Sequence, residues 1–186
     1  MKYLKIVKYG DNRYLKNYKI LYENKVKQVK EYEMVSRNEI KCEEEIADKV
    51  NGISIVAFKD DKILLLNEFR MAVNRRVFNL CAGMIENGEN AEECASRELY
   101  EETGLKIVRI VDELEPCFAA VAISDIRTKV IFAEVEGNIS PSLSDNEDIV
   151  PGFYSREQVA TMLKTENFSS RAQIVAYCFA KGFSFL

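Results

Sequence analysis

The glutamates at positions 98, 101 and 102 are the residues whose type and spacing point most directly to chemistry. Residues three and four apart are neighbours on a helix, so a helix here brings Glu98, Glu101 and Glu102 together. Glu98 and Glu102 also share a helical stripe with Ala91 and Ala95, two small residues expected to face inward. Carboxylates on an inward stripe repel one another unless a positive charge lies among them. The pattern predicts a divalent cation site, and the alternative is a solvated acidic helix.

The signals at the two ends of this segment support a helix. Asn90, with Glu93 three residues later, is typical of an N-cap with a capping box. Gly104 stands where a residue in the left-handed conformation commonly ends a helix. We therefore predict a turn after Gly83 and then a helix of roughly three to four turns.

The wider spacing of the segment resembles the Nudix box. That pattern is Gly, five residues, Glu, seven residues, Arg-Glu-apolar, one residue, Glu-Glu, one residue and Gly-apolar. Every defined position is matched, by Gly83, Glu89, Arg97, Glu98, Leu99, Glu101, Glu102, Gly104 and Leu105. The resemblance covers about residues 30–180 and is to the ADP-ribose pyrophosphatase-like branch of the Nudix hydrolase superfamily.

The resemblance implies roles for the residues of the box. Glu98 and Glu102 are expected to bind metal together with the Ala82 carbonyl, and Glu101 to be a further ligand or an outer-shell partner. Arg97 and Glu89 are expected to form an ion pair that holds the loop of the box against the helix. The structural members of the box are Gly83, Glu89, Arg97 and Gly104.

The composition excludes several classes of protein. The sequence contains no histidine, which excludes His-based triads and His-ligated zinc. A metal is then held mostly by oxygen, which favours Mg²⁺ or Mn²⁺. A net charge of −4 argues against a nucleic-acid-binding surface, and no apolar run is long enough to span a membrane. Five scattered cysteines and the lack of a signal peptide indicate a cytoplasmic protein with reduced thiols.

A second acidic segment, Ser144-Asp145-Asn146-Glu147-Asp148-Ile149, resembles the catalytic loop of ADP-ribose pyrophosphatases. By resemblance, Glu147 is a metal ligand and Asp145 is the candidate base that positions or deprotonates water. The family typically has glutamate at the latter position, so the reach of the shorter aspartate differs. The alternative is an acidic surface loop, with Glu101 or Glu86 as the next candidate base.

Residues 1–48 form a β-rich segment, in which Asn24-Lys25 is a plausible turn between two strands. The stretch Tyr32 to Arg37 resembles the N-terminal strand of the same branch, whose sheet is exchanged in a dimer and helps to wall the substrate site. We therefore expect a homodimer; the alternative is a sheet extension that covers an edge. The candidate substrate-binding residues are Arg37, Arg70 and Met84.

Two departures from the family are visible in the sequence. The Ser-Pro-Gly element expected after the strand that follows the box is absent, because residues 118–125 read Phe-Ala-Ala-Val-Ala-Ile-Ser-Asp. The loop lines the substrate pocket in the family, so dinucleotide coenzymes and other diphosphates remain open as substrates beside ADP-ribose and sugar nucleotides. Cys81 occupies the place of a usual proline and is expected to be a buried thiol close to the metal site.

The predicted fold is the α/β (α+β) Nudix fold, a mixed sheet between helices with an N-terminal antiparallel β extension. Residues 1–48 are assigned to the extension and residues 49–186 to the hydrolase domain. In the latter we predict strands at Lys106 to Leu114 and Arg127 to Glu136. A helix capped by Ser155 and a last helix that starts at Ser169 or Ser170 are expected to follow. The expected activity is metal-dependent hydrolysis of a nucleoside diphosphate linked to a sugar. The alternatives are a hydrolase of nucleoside triphosphates and a non-catalytic nucleotide sensor, which the complete box disfavours.

Overall fold

The chain divides into two compact units. The structure, a computed structural model, describes residues 1–140, 146–183 and 185 of the 186-residue chain. The smaller unit comprises residues 1–51 and 116–128, and the larger unit comprises residues 52–115 and 129–186. Residues 116–128 thus pack with the N-terminal residues in the smaller unit, and the predicted division between residues 48 and 49 stays a prediction.

The smaller unit contains a three-stranded antiparallel sheet of β1 (Lys2–Asp11), β2 (Lys16–Glu23) and β3 (Val29–Ser36). The predicted hairpin is confirmed, and its turn begins at Asn24, whose amide hydrogen-bonds to the Gln28 carbonyl. A short 3-10 turn, Glu43–Glu45, follows. A small apolar core lies under the sheet and consists of Tyr18, Met34 and Ile40.

The larger unit is built on a seven-stranded sheet. Its main path runs in the order β10, β5, β4, β9, β8, with β6 paired to β5 and β7 paired to β4. These strands are β4 (Gly52–Lys59), β5 (Lys62–Arg70), β6 (Arg75–Asn79), β7 (Cys81–Met84), β8 (Lys106–Phe118), β9 (Arg127–Glu136) and β10 (Ile149–Tyr154). The helices are α1 (Ala91–Thr103), α2 (Arg156–Thr165) and α3 (Ser170–Ala180). The predicted fold class is confirmed.

Alternating residues of the central strands face two separate apolar cores. On β5, Leu64 and Leu66 contact the core that contains Ala95 and Leu99 of α1. The alternate residues, Ile63 and Leu65, contact the core beneath α2 and α3. Side chains on a strand alternate between its two faces, so the nearly continuous apolar run of β5 is buried on both sides. The sheet of the larger unit therefore lies between α1 on one face and α2 with α3 on the other.

The strand β8 is longer than the sequence indicated. We predicted a strand from Lys106 to Leu114, whereas it continues to Phe118 and includes Pro116. Proline has no amide hydrogen to donate, so a proline in the sequence predicts the end of a strand unless the strand lies at the edge of a sheet. β8 is the last strand of the sheet order, which explains why Pro116 is tolerated there.

The three helices begin at the predicted caps. The Asn90 side chain accepts hydrogen bonds from the amides of Glu92 and Glu93, which gives α1 the predicted capping box. Ser155 caps α2 and Ser169 caps α3. No helix among residues 1–140 and 146–183 is long and apolar enough to cross a membrane.

Candidate active site

Gly83 lies directly against the carboxyl group of Glu98. Strand β7 places Gly83 opposite Ile53 of β4, and α1 places Glu98 above it. A Cβ atom on residue 83 would lie 1.8 Å from Cδ and 1.9 Å from Oε1 of Glu98. Only glycine leaves room for the carboxyl group in this position, which explains the first residue of the box.

Arg97 connects the loop before α1 to three carboxylates. Its Nε and one terminal nitrogen form a bidentate pair with Glu89, at 2.8 and 2.9 Å. The other terminal nitrogen is 2.8 Å from Glu98 Oε1 and 3.3 Å from Glu101 Oε2. Arg97 also donates to the carbonyl of Met84 at 3.1 Å. The predicted ion pair between Arg97 and Glu89 is present in the structure, and it lowers the pKa of the Glu89 carboxyl to about 2.

Glu102 is a buried carboxyl group with an unused oxygen. The residue is only 6% exposed, and its Oε2 atom has no hydrogen-bond partner among the described residues. Burial raises the pKa of this carboxyl to about 8, although a hydrogen bond from the Cys81 thiol lowers it. The negative charges of Glu98, Glu68 and Glu147 raise it further. A buried, unpaired acceptor is costly in the folded protein, so its position calls for a ligand that it can bind.

The surroundings of Glu98 also favour a positive ligand. Burial raises the pKa of Glu98, and the charges of Glu101 and Glu147 act in the same direction, while Arg97 opposes them. Glu147, from the second acidic segment, is therefore close enough to act on both Glu98 and Glu102. In the described part of the chain, however, no three acidic or cysteine side chains are already arranged around one point as metal ligands.

Sequence reasoning missed the role of Glu68 in this cluster. Glu68 is 5% exposed, and its charge acts on Glu102. The alternation of side chains between the two faces of β5 could have revealed this role. Glu68 is two residues beyond Leu66 and four beyond Leu64, so it lies on the face of β5 that is turned to α1. A carboxylate on that face had to be buried near the helix that carries the other glutamates.

The predicted substrate-binding residues occupy three different settings. Arg70 ends β5; its side chain is half exposed, and one of its terminal nitrogens lies 2.9 Å from Glu68 Oε2. Met84 ends β7 and is 37% exposed. Arg37 follows β3 in the smaller unit and is exposed. All three remain predictions as substrate contacts, and the candidate base Asp145 lies outside the described residues.

Residues before and within the second acidic segment form hydrogen bonds with other elements of the larger unit. Before it, the Ser140 amide bonds to the Thr103 carbonyl at the end of α1, at 2.9 Å. Gly104 has a φ of 73°, and a Cβ there would lie 2.1 Å from Ser140 Oγ. Within it, the carboxylate of Asp148 pairs with the guanidinium of Arg76 on β6, and the Asp148 carbonyl accepts from the amide of Phe69 on β5. These contacts explain the glycine at the end of the box and place Asp148 beside β5 and β6.

The arrangement suits the binding of a hard divalent cation. The side-chain atoms near Glu102 that could bind a metal are mainly carboxylate oxygens, which are the preferred ligands of Mg²⁺ and Mn²⁺. The free Oε2 atom of Glu102 supplies an acceptor that no described protein group uses. A cation there would neutralise charges that now repel one another, so the residues present fit such an ion.

Comparisons with known proteins identify the family to which the sequence is similar. Residues 48–178 match the family profile of the NUDIX domain. Putative nudix hydrolase 2 of Caenorhabditis elegans is 31% identical over 117 residues, covering 61% of this chain and 51% of that protein. The ADP-ribose pyrophosphatase of Escherichia coli K12 is 28% identical over 125 residues, covering 62% of this chain and 59% of that protein. The chain thus spans about half to three-fifths of the length of these curated relatives.

A solved structure supports the fold. The crystal structure of an ADP compounds hydrolase superposes with a TM-score of 0.74 and covers 97% of this chain and 91% of its own. The sequences are 17% identical, so this likeness shows a shared fold alone.

Proposed function

We propose that this chain, which belongs to the NUDIX domain family, hydrolyses the diphosphate linkage of ADP-ribose or a related nucleoside diphosphate sugar. The products are a nucleoside monophosphate and a sugar phosphate. The observation that carries the proposal is the buried, unpaired oxygen of Glu102 beside Glu98, within a complete Nudix box. The names of the curated relatives support the substrate class.

Mg²⁺ or Mn²⁺ is the proposed cofactor. Glu98, Glu102 and the Ala82 carbonyl would hold it, with Glu101 and Glu147 as further ligands. When bound, the ion neutralises the charge of the two phosphates and lowers the pKa of water. Glu98 and Glu102 lie on adjacent turns of α1, a rigid element, so the helix keeps their side chains at fixed positions relative to β7.

The remaining side chains orient these carboxylates and handle the proton. Arg97 holds Glu98 and Glu89 in place and leaves the second oxygen of Glu98 available. Arg70 carries positive charge near the cluster through its contact with Glu68, and we assign it to the diphosphate. Removal of the proton from water is assigned to Asp145, with Glu101 or Glu86 as the alternative general base.

The partner and compartment are part of the same proposal. We expect a homodimer formed through residues 1–48, a cytoplasmic location, and no partner beyond the nucleotide substrate. Support for the dimer comes from exposed apolar side chains on the three-stranded sheet, namely Leu4, Val7, Tyr9, Val29 and Tyr32. Support for the compartment comes from the five free cysteines.

A substrate panel tests the proposal. The purified chain is incubated with ADP-ribose, sugar nucleotides including GDP-mannose, dinucleotide coenzymes and nucleoside triphosphates, each with Mg²⁺ and with EDTA. We expect metal-dependent release of a nucleoside monophosphate from a diphosphate sugar, detected by ion-exchange chromatography. Preferential cleavage of triphosphates would favour the alternative hydrolase, and tight binding without cleavage would favour a nucleotide sensor.

A further inference from the structure

A continuous line of hydrogen bonds connects the start of α3 to Arg70. Ser169, the N-cap residue of α3, donates from its hydroxyl to Oδ1 of Asn79 at 2.7 Å. Nδ2 of Asn79 donates to Oε1 of Glu68 at 2.6 Å. Oε2 of Glu68 lies 2.9 Å from a terminal nitrogen of Arg70. All four side chains belong to the larger unit.

The direction of these hydrogen bonds is fixed by the backbone. The amide of Leu80 donates to Oδ1 of Asn79 at 3.0 Å, and a backbone amide can only donate. The oxygen of the Asn79 side chain must therefore face Leu80 and Ser169, which turns its NH₂ group toward Glu68. The orientation of this amide thus follows from its partners and leaves no equivalent alternative.

Glu68 consequently faces a donor on each side. One oxygen accepts from Asn79 and the other from Arg70, so the side chain must act as an acceptor at both ends. A carboxylate satisfies this requirement, whereas a glutamine has one acceptor and one donor. Glu68 is 5% exposed, while the side chain of Arg70 is half exposed, so part of that side chain stays open to a ligand.

The position of Glu68 places this contact at the border of the carboxylate cluster. Glu68 is paired with Val77 of β6 and with Ile149 of β10, which begins two residues after Glu147. Its charge also acts on Glu102 of α1. Arg70 is two residues further along the same face of β5.

We propose that Glu68 is a positioning residue that holds the guanidinium of Arg70 at the edge of the carboxylate cluster, with its unused N–H groups directed to the diphosphate of the substrate. A free arginine side chain must lose rotamer freedom when it binds a ligand. Glu68, itself fixed by Asn79 and Ser169, restrains that side chain before the substrate arrives. This inference rests on the proposed hydrolase function and adds a residue that the Nudix box does not include.

A double-mutant cycle tests the inference. The variants are Glu68→Gln, Arg70→Ala and the double substitution, and the probe is ADP in the presence of saturating Mg²⁺, titrated by calorimetry. The glutamine of the first variant can keep the contact with Asn79 and loses the contact with Arg70. We expect each single variant to weaken ADP binding about tenfold and the double variant to be no weaker than Arg70→Ala. For ADP-ribose, Glu68→Gln should raise KM by a similar factor and change kcat less than threefold.

The control is Glu134→Gln, which removes a carboxylate paired with Arg109 on β8 and β9, at 2.8 Å and exposed to solvent. It should leave ADP binding unchanged. Thermal denaturation reports whether Glu68→Gln still unfolds cooperatively. Asn79→Ala removes the hydrogen bond that Asn79 donates to Glu68. This substitution should weaken ADP binding when it is made in the wild-type protein and should have no further effect when it is added to Arg70→Ala.

The outcomes separate the two proposals. If wild-type protein cleaves a diphosphate sugar while Glu68→Gln matches it, or while the losses of the two single variants simply multiply, the positioning role is refuted and the hydrolase function stands. If wild-type protein neither binds ADP nor cleaves any compound of the panel, the proposed function itself is refuted, and the positioning role falls with it.

Discussion

Replacing Gly83 by alanine tests whether the glutamates of α1 act through their placement. The added Cβ would lie 1.8 Å from Cδ, 1.9 Å from Oε1 and 2.3 Å from Cγ of Glu98. Ordinary contacts between carbon atoms begin at about 3.5 Å, so the carboxyl group of Glu98 must move about 1.5–2 Å away from residue 83. This displacement also breaks its 2.8 Å contact with Arg97.

The expected effect on turnover is large, while the effect on stability is small. A misplacement of about 1 Å in an active site can lower the rate on the order of 10²-fold, so we expect at least that loss in kcat for ADP-ribose. Gly83 does not have a positive φ, so alanine adds no backbone strain. Alanine in an unstrained position gains about 0.4–1 kcal/mol through the unfolded state, which offsets about 1 kcal/mol for the lost hydrogen bond.

Gly88→Ala is the matched control, in the loop between β7 and α1. Gly88 has a φ of +86°, and apart from its two chain neighbours no described residue has an atom within 4 Å of the place that a Cβ would take, so alanine causes strain without a clash. It should lower the free energy of unfolding by about 1–2 kcal/mol and leave kcat within threefold of wild type. Chromatographic product assays and thermal denaturation measure the two quantities. The reasoning is refuted if Gly83→Ala keeps wild-type kcat, or if both variants lose activity equally.

Three further predictions concern the metal, the acidic segment and the dimer. Glu102→Gln should lower kcat on the order of 10²-fold. If Glu102→Gln turns over at the wild-type rate at saturating Mg²⁺, the assignment of Glu102 as a metal ligand is refuted. Because burial raises the pKa of Glu102 to about 8, the free energy of unfolding of the metal-free protein should fall as pH rises from about 4.5 to 8. Urea denaturation in EDTA should show a smaller fall for Glu102→Gln than for the wild type. Glu147→Gln should raise the Mg²⁺ concentration for half-maximal rate, and Asp145→Asn should lower kcat at saturating Mg²⁺ by about 10²–10⁴-fold; if titrations of rate against Mg²⁺ leave both within a few-fold of wild type, the base lies elsewhere. Light scattering at micromolar concentration should give the mass of a dimer, and a monomer mass for the wild-type protein would contradict this prediction. Deletion of residues 1–40 should lower kcat.

The elements of the fold were accessible from the sequence where local signals agreed. Asn90 and Ser155 cap α1 and α2 as predicted, and Ser169 is the cap of α3 out of the two serines predicted, because a cap depends on a few adjacent residues. The strand β9 was also predicted with its observed bounds, Arg127–Glu136. The end of β8 was not, since tolerance of Pro116 depends on the position of that strand at the sheet edge.

The candidate site was accessible only in part for a related reason. The spacing of the box locates Glu98 and Glu102 because both belong to one helix. Glu68 and Asn79 come from different strands, and their contact depends on the register of β5 against β6. Likewise, the pairing of Arg76 with Asp148 joins residues far apart in sequence, which no local pattern indicates.

The two apolar cores on the two faces of the central sheet differ in how close they lie to the carboxylate cluster. The core on the α1 side continues into the carboxylate cluster, whereas the core beneath α2 and α3 consists of apolar residues such as Val56, Leu65 and Val159. Substitutions that preserve volume in the second core can therefore accumulate without moving Glu98 or Glu102. This face is the place where natural drift or laboratory selection for heat resistance can change the protein while its chemistry stays the same.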